Sequence, residues 1–332
     1  ILGRIPTRDE EPAPGAASSV DRPGERAPAV GLVARCAAAA LGRRLLGRRR
    51  PGRSPDLSRA ALRRRFAALA AATPESVRAI SFFAVPANRP PWFDTGIDLD
   101  AGEPVGWFAA GKTRLSGLLD LFVGPDFQLW ARIGDGEIFR GTRACHGFRV
   151  EAAGRLQLAS YFPGEWTDRR GGIAGPPEGW SRVGGGMTVA VVRWRGDPRQ
   201  ALERWRELDD PGGLVSAELD RMAAPSGPPP GWRYLFTLGP GEIFSAGESD
   251  GRACLHCHTR GDVGILQKDV AVPLGPGTRL RWEWKVDALP SRLREDSLPT
   301  HDYLSLAVEF ENGLDLTYTF SPELPEGYAY WC

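Results

Sequence analysis

The sequence predicts a mainly β protein: two antiparallel β-sandwich domains joined by short helices and a Pro-rich linker. Two observations carry that expectation. Between residues 80 and 195, short apolar runs are punctuated by Gly, Pro, Asp and Asn at sandwich-like intervals. Near the C-terminus, Leu280, Arg281, Trp282, Glu283, Trp284, Lys285 and Val286 alternate strictly. Leu304, Leu306, Val308 and Phe310 follow, then Asn312 and Gly313, then Leu314, Leu316, Tyr318 and Phe320. Period-two patterning around an Asn-Gly pair predicts a hairpin with a two-residue turn.

In chain order, residues 1–57 are rich in Pro, Gly, Ala and Arg without periodicity, which predicts a disordered low-complexity segment. Its cluster Arg43, Arg44, Arg48, Arg49, Arg50 and Arg53 could contact RNA or an anionic membrane, though composition favours a solvated segment. Residues 58–79 hold an amphipathic helix, with Leu57, Ala60, Leu62, Phe66 and Leu69 in helical spacing. Strands are then expected at 80–85, 95–99, 104–109, 118–123, 127–133, 148–150, 156–161 and 187–194, forming a sandwich over 80–196. Asp197 as N-cap, Pro198 at the first helical position and Gln200 two residues on open a helix with the stripe Leu202, Trp205 and Leu208. A second helix over 214–222 and the proline run ending at Gly231 complete a connecting region, 197–231. Residues 232–332 are expected to form a second, truncated sandwich.

With 42 basic and 41 acidic residues, bulk charge points to no nucleic-acid partner. Eleven Trp suit either sandwich cores or ligand stacking. Five cysteines, Cys36, Cys145, Cys254, Cys257 and Cys332, give no even disulfide framework. No apolar run is long enough to span a bilayer and no signal peptide is visible, which favours a cytoplasmic location. The start at Ile1 and the stop just after a strand-like pattern suggest a piece of a longer protein with an incomplete N-terminus.

Three stretches could carry chemistry. Cys254, Leu255, His256, Cys257 and His258 spell the c-type haem attachment string. The strand-like flanks and missing export signal argue against haem. Zinc is the alternative, with Cys254, Cys257, His258 and His301 as ligands. A strand would spoil that chelate by turning Cys257 away. The long excursion 287–302 offers Glu295, Asp296, His301 and Asp302 as general acid–base groups or hard oxygen ligands. In a regular strand His301 and Asp302 face opposite sides, so they would not form a dyad. The loop 161–172 leaves a strand carrying Tyr161, Glu165, Trp166 and Asp168, a set suited to stacking on a sugar and bonding its hydroxyls.

Two resemblances sharpen this reading. The stretch Pro91, Trp92, Phe93, Asp94, Thr95, Gly96 and Ile97, with Arg132, Ile133 and Gly134 and residues 156–172, resembles the small jelly-roll sandwich of galactophilic bacterial lectins. That resemblance implies a calcium ion in the loop after a late strand, binding galactose hydroxyls, with Asp168 at a ligand position. The sequence departs from that pattern at Arg169, where a second Asn is expected, and at Tyr161, near a position the family fills with Asp.

From Trp232 onward the chain resembles a bacterial domain-of-unknown-function family, number 3047. The resemblance rests on Asp262, Val263, Gly264, Ile265, Leu266 and Gln267, on 280–286, and on Thr300, His301, Asp302, Tyr303, Leu304 and Ser305. It implies a β-sandwich that continues past this point, and no activity. The expected function is therefore non-catalytic binding of a carbohydrate or other small polar ligand by tandem sandwiches. A metal-dependent enzyme or a metal- or haem-binding protein, centred on the Cys/His cluster, stands as the alternative; calcium and zinc are the candidate ions.

Overall fold

The computed structural model describes residues 57–89, 92–116, 121–173, 183–224, 227–259, 263–289, 304–312 and 314–328. The low-complexity segment, apart from Leu57, lies outside the described residues. The protein is mainly β, with fifteen strands in antiparallel sheets among the described residues. It divides into two compact units, with Val270 the last residue of the first and Ala271 opening the second.

In the first unit, α1 (Arg59–Ala72) starts at Ser58, whose hydroxyl accepts the Ala61 amide at 3.2 Å. The helix stops at Thr73, because Pro74 pushes the residue before it out of the α region. Thr73 is buried, donating to Leu69 O at 3.0 Å and accepting from Trp205 Nε1 at 2.8 Å.

One sheet contains β1 (Val77–Pro86), β3 (Pro104–Ser116), β4 (Leu121–Val123), β7 (Cys145–Arg149) and β9 (Gly184–Trp194). The long β3 pairs with β9 along one edge; on the other it pairs with β7 in its first half and β4 in its second. The other sheet is ordered β2 (Phe93–Leu99), β8 (Gly154–Ser160), β5 (Leu129–Ile133), β6 (Phe139–Arg140). Just before β5, Pro125–Gln128 forms a helical turn, α2, where strand was expected.

Alternation explains the layering. Val105, Trp107 and Ala109 of β3, Met187, Val189 and Val191 of β9, and Leu156 and Leu158 of β8 fill the space between the sheets. Phe108 and Ala110 of β3, and Ala190, Val192 and Trp194 of β9, point the other way, onto helices. A strand covered on both faces is apolar on both, which is why Val189, Ala190, Val191 and Val192 of β9 follow one another without a polar residue. Gly185, at φ +87, opens β9 where any Cβ would collide with Lys112 O.

The helices after β9 are part of this fold and not a bridge between domains. α3 (Arg199–Leu208) and α4 (Leu214–Ala223) bury Leu202, Trp205, Leu214, Val215 and Leu219 against α1 and the sheet. Asp197 accepts the Arg199 amide at 3.0 Å, so it caps the helix as its sequence position predicts, although the helix proper begins at Arg199. Residues 232–270, expected with the C-terminal module, belong to the first unit. They carry β10 (Arg233–Tyr234), β11 (Phe244–Ser249), β12 (Arg252–Cys257) and β13 (Leu266–Gln267), with β10 paired to β13 and β11 to β12.

In the second unit, β14 (Ser305–Glu309) and β15 (Asp315–Thr319) form the expected hairpin. Phe310 N donates to Leu314 O at 2.8 Å, so the connection spans residues 311–313 and is longer than two residues. The alternating stretch 280–286 forms no strand ladder, although Trp282 lies 4.5 Å from the Tyr318 ring.

Candidate functional site

The loop 161–173 leaves β8 and returns over the outer face of the second sheet, where its two aromatic side chains turn inward. Tyr161 is fully buried and Trp166 is 3 % exposed. Their rings lie 4.2 Å apart, Trp166 stacks on Trp92 at 5.3 Å, and Trp130 meets it edge-on at 5.4 Å. The expected stacking role of Tyr161 and Trp166 is therefore corrected. Burying two large rings removes far more apolar surface from water than an exposed platform would, and the rings form the floor of the loop.

The polar members point outward. Asp168 Oδ1 accepts the Arg170 amide at 2.7 Å and the Gly172 amide at 3.2 Å. Those amides, Gly172 first, hold the Asp168 carboxyl below the usual carboxylate range. Glu165 is exposed. The sandwich pins the second half of the loop by its carbonyls. Ile138 N donates to Arg169 O at 2.8 Å, Arg132 Nη1 to Arg170 O at 2.8 Å, and Trp92 Nε1 to Gly171 O at 3.2 Å. The Arg132 guanidinium sits 4.4 Å over the Trp92 ring.

In this loop Asp168 gives Oδ1 to backbone amides and is followed by Arg169 and Arg170, and the described residues bring no three His, Cys, Asp or Glu together as a metal site.

The Cys/His string lies on the β11–β12 hairpin, whose turn carries Asp250 at φ 53 and Gly251 at φ 73. Cys254 pairs with Gly247 and Cys257 with Phe244 across the ladder. Strand alternation puts Cys254 and His256 on one face and Cys257 on the other, so the two thiols do not converge. Glu295, His301 and Asp302 lie outside the described residues.

His258, just past β12, instead lines a cavity of about 490 Å³ with Asp126, Arg143, Cys145, Leu214 and Glu242. Arg143 grips Glu242 through Nε at 2.7 Å and Nη2 at 2.9 Å, and Thr142 donates to the same carboxylate at 2.6 Å. The Arg143 Nη1 donates to Ala217 O at 2.7 Å, and Glu242 raises the Arg143 pKa. Burial pushes the Cys145 thiol up. Apart from His258, no local pattern marks these residues, since they come from separate elements.

Segment 235–243 is tied to the sandwich by Arg140. This arginine is 5 % exposed; it donates Nε to Leu238 O at 2.7 Å and Nη1 to Asp126 O and Gly141 O at 3.0 Å. Burial lowers its pKa to about 10. Gly239, at φ +79, lies beneath it, where a Cβ would come within 2.6 Å of Nε. Among the described residues, no helix is long and apolar enough to cross a membrane.

Fold and loop together define a mainly β chain with a sandwich that carries a polar loop on a buried aromatic floor. Residues 231–324 match the family described as a protein of unknown function, DUF3047. Among solved structures, the chain is similar to the N-terminal domain of EclA, a PllA-like lectin, at 22% identity and TM-score 0.27. That similarity covers 36% of this chain and 98% of the other. It is also similar to a functionally unknown conserved protein from Bacillus anthracis str. Ames, at 14% identity and TM-score 0.20, covering 40% of this chain and 27% of the other. The sequence matches no curated protein.

Proposed function

We propose that this chain is a non-catalytic binding protein whose sandwich takes a carbohydrate-like or other small polar ligand at the rim of loop 161–173. Asp168 carries the reading. Its carboxylate is exposed yet fixed by two backbone amides and held ionised, an acceptor whose ordering is already complete before a ligand arrives. Glu165 adds a second acceptor and Arg170 a donor within the same loop. Donors and acceptors so close together suit vicinal hydroxyls. Recognition is by hydrogen bonds, with Tyr161 and Trp166 acting as support.

Glycan-array screening followed by calorimetric titration tests the proposal. Binding is expected to be the same with and without calcium. Asp168→Asn keeps an oxygen for the loop amides while removing the charge, and is expected to weaken binding by roughly tenfold to a hundredfold, the equivalent of one charge-assisted hydrogen bond. A protein that binds no glycan in either condition would sink the idea.

A further inference from the structure

We infer that Phe236 and Thr237 are positioning residues for this loop, so that the sandwich alone does not hold a complete site. The inference rests on the ligand reading just given and deepens it. The sandwich's own bonds fix the carbonyls of Arg169, Arg170 and Gly171, all in the second half of the loop. In the first half the sandwich holds Tyr161, whose amide donates to Gln128 O at 3.1 Å and whose carbonyl accepts from Trp130 Nε1 at 3.1 Å, while the turn that follows is held from elsewhere. Gly164 N donates to Thr237 O at 2.7 Å. The Phe236 ring packs on the buried cluster of Trp130, Tyr161 and Trp166, and receives the Arg169 guanidinium at 5.0 Å.

These contacts lie on either side of Glu165 and Asp168, so the segment carrying Phe236 and Thr237 spans the acidic rim. That segment is anchored in its turn. Tyr234 hydroxyl donates to Gly241 O at 2.6 Å, Leu235 N to Ile265 O at 2.9 Å, and Arg140 and Arg143 hold Leu238 O and Glu242. The loop of the lectin-like sandwich is thus shaped by residues inside the stretch 231–324 that matches the other family.

The test uses the full chain with Phe236→Ala, Phe236→Tyr and Arg169→Gln. Arg169→Gln removes the cation–ring contact from the solvent side and leaves the core packing in place, should Phe236→Ala fold poorly. Three readouts apply: hydrogen exchange of the Gly164 and Ile138 amides, the NMR titration of the Asp168 carboxyl, and calorimetry against a panel of galactose, mannose, fucose and glucose. Phe236→Ala is expected to speed Gly164 exchange roughly tenfold or more, to move the Asp168 titration up toward the ordinary range, and to weaken any sugar bound by the parent. Phe236→Tyr is expected to restore all three.

Unchanged exchange and unchanged Asp168 titration in both Phe236→Ala and Arg169→Gln would overturn the inference, as would full sugar affinity with a released loop. If the loop is released but the parent binds no sugar, positioning stands and the ligand reading fails.

Discussion

The two units use the same period-two code to opposite effect. In the first, Val105, Trp107, Phe108, Ala109 and Ala110 of β3 and the apolar run of β9 meet covering layers, the second sheet on one side and the helices on the other. In the second, the β14–β15 hairpin is covered on one strand at most: Leu306 and Val308 are half-buried, whereas Leu314 is 64 % exposed and Leu316 48 %. Alternation therefore specifies a strand and its register but not what covers it. A two-stranded ribbon buries little by itself, and independent stability needs a third strand or a packed helix.

Mutations in the two regions should separate this contrast sharply. The largest effect belongs to the inter-sheet core, where Trp107→Ala should cost about 3–5 kcal/mol in denaturant unfolding. Next comes Arg140→Met, expected to cost about 2–3 kcal/mol because carbonyls buried around the guanidinium lose their donor.

A pH series should give a third, graded effect. Burial lowers the His146 pKa from 6.5 to about 3. Between those values the unfolded chain takes up a proton that the fold refuses. Stability is then complete above pH 6.5 and falls toward pH 3, by up to roughly 1.4 kcal/mol per pH unit. His146→Gln should flatten that slope; an unchanged slope would remove His146 from the account. Ser58→Ala at the α1 cap should cost about 1 kcal/mol. Smallest of all, Leu316→Ser on the exposed hairpin should change thermal unfolding by less than about 0.5 kcal/mol. A large loss there would mean that the hairpin face is covered after all, and would erase the contrast between the units.

Much of the fold was legible from residue patterns, because the patterns are local. The apolar run Val189, Ala190, Val191 and Val192 of β9, the bond of the Arg199 amide to Asp197 and the stripe Leu202 and Trp205 each announce an element within a dozen residues. The site was less legible. A tryptophan in a Gly-rich loop can face in or out, and Trp166 faces in because Trp92, Trp130 and Phe236 assemble a pocket for it from three distant segments. Asp168 could be picked out as a polar loop residue, but not its grip on the amides of Arg170 and Gly172, which depends on how the loop folds back. The membership of 232–270 in the first unit was hidden for the same reason. No local pattern singles out Arg140 or Glu242; the fold sets one against Leu238 O and the other against Arg143.

The Arg140 clamp has an evolutionary corollary. It reaches segment 235–243 through the Leu238 carbonyl, so it reads the path of that segment and not its side chains. Substitutions along that segment can drift without a compensating change at the arginine. The position that cannot drift is Gly239, where the positive φ and the nearby guanidinium exclude any larger residue. In distant relatives, the trace of this junction should be a lone arginine matched to a lone glycine about a hundred positions later, with no covarying charged pair between them.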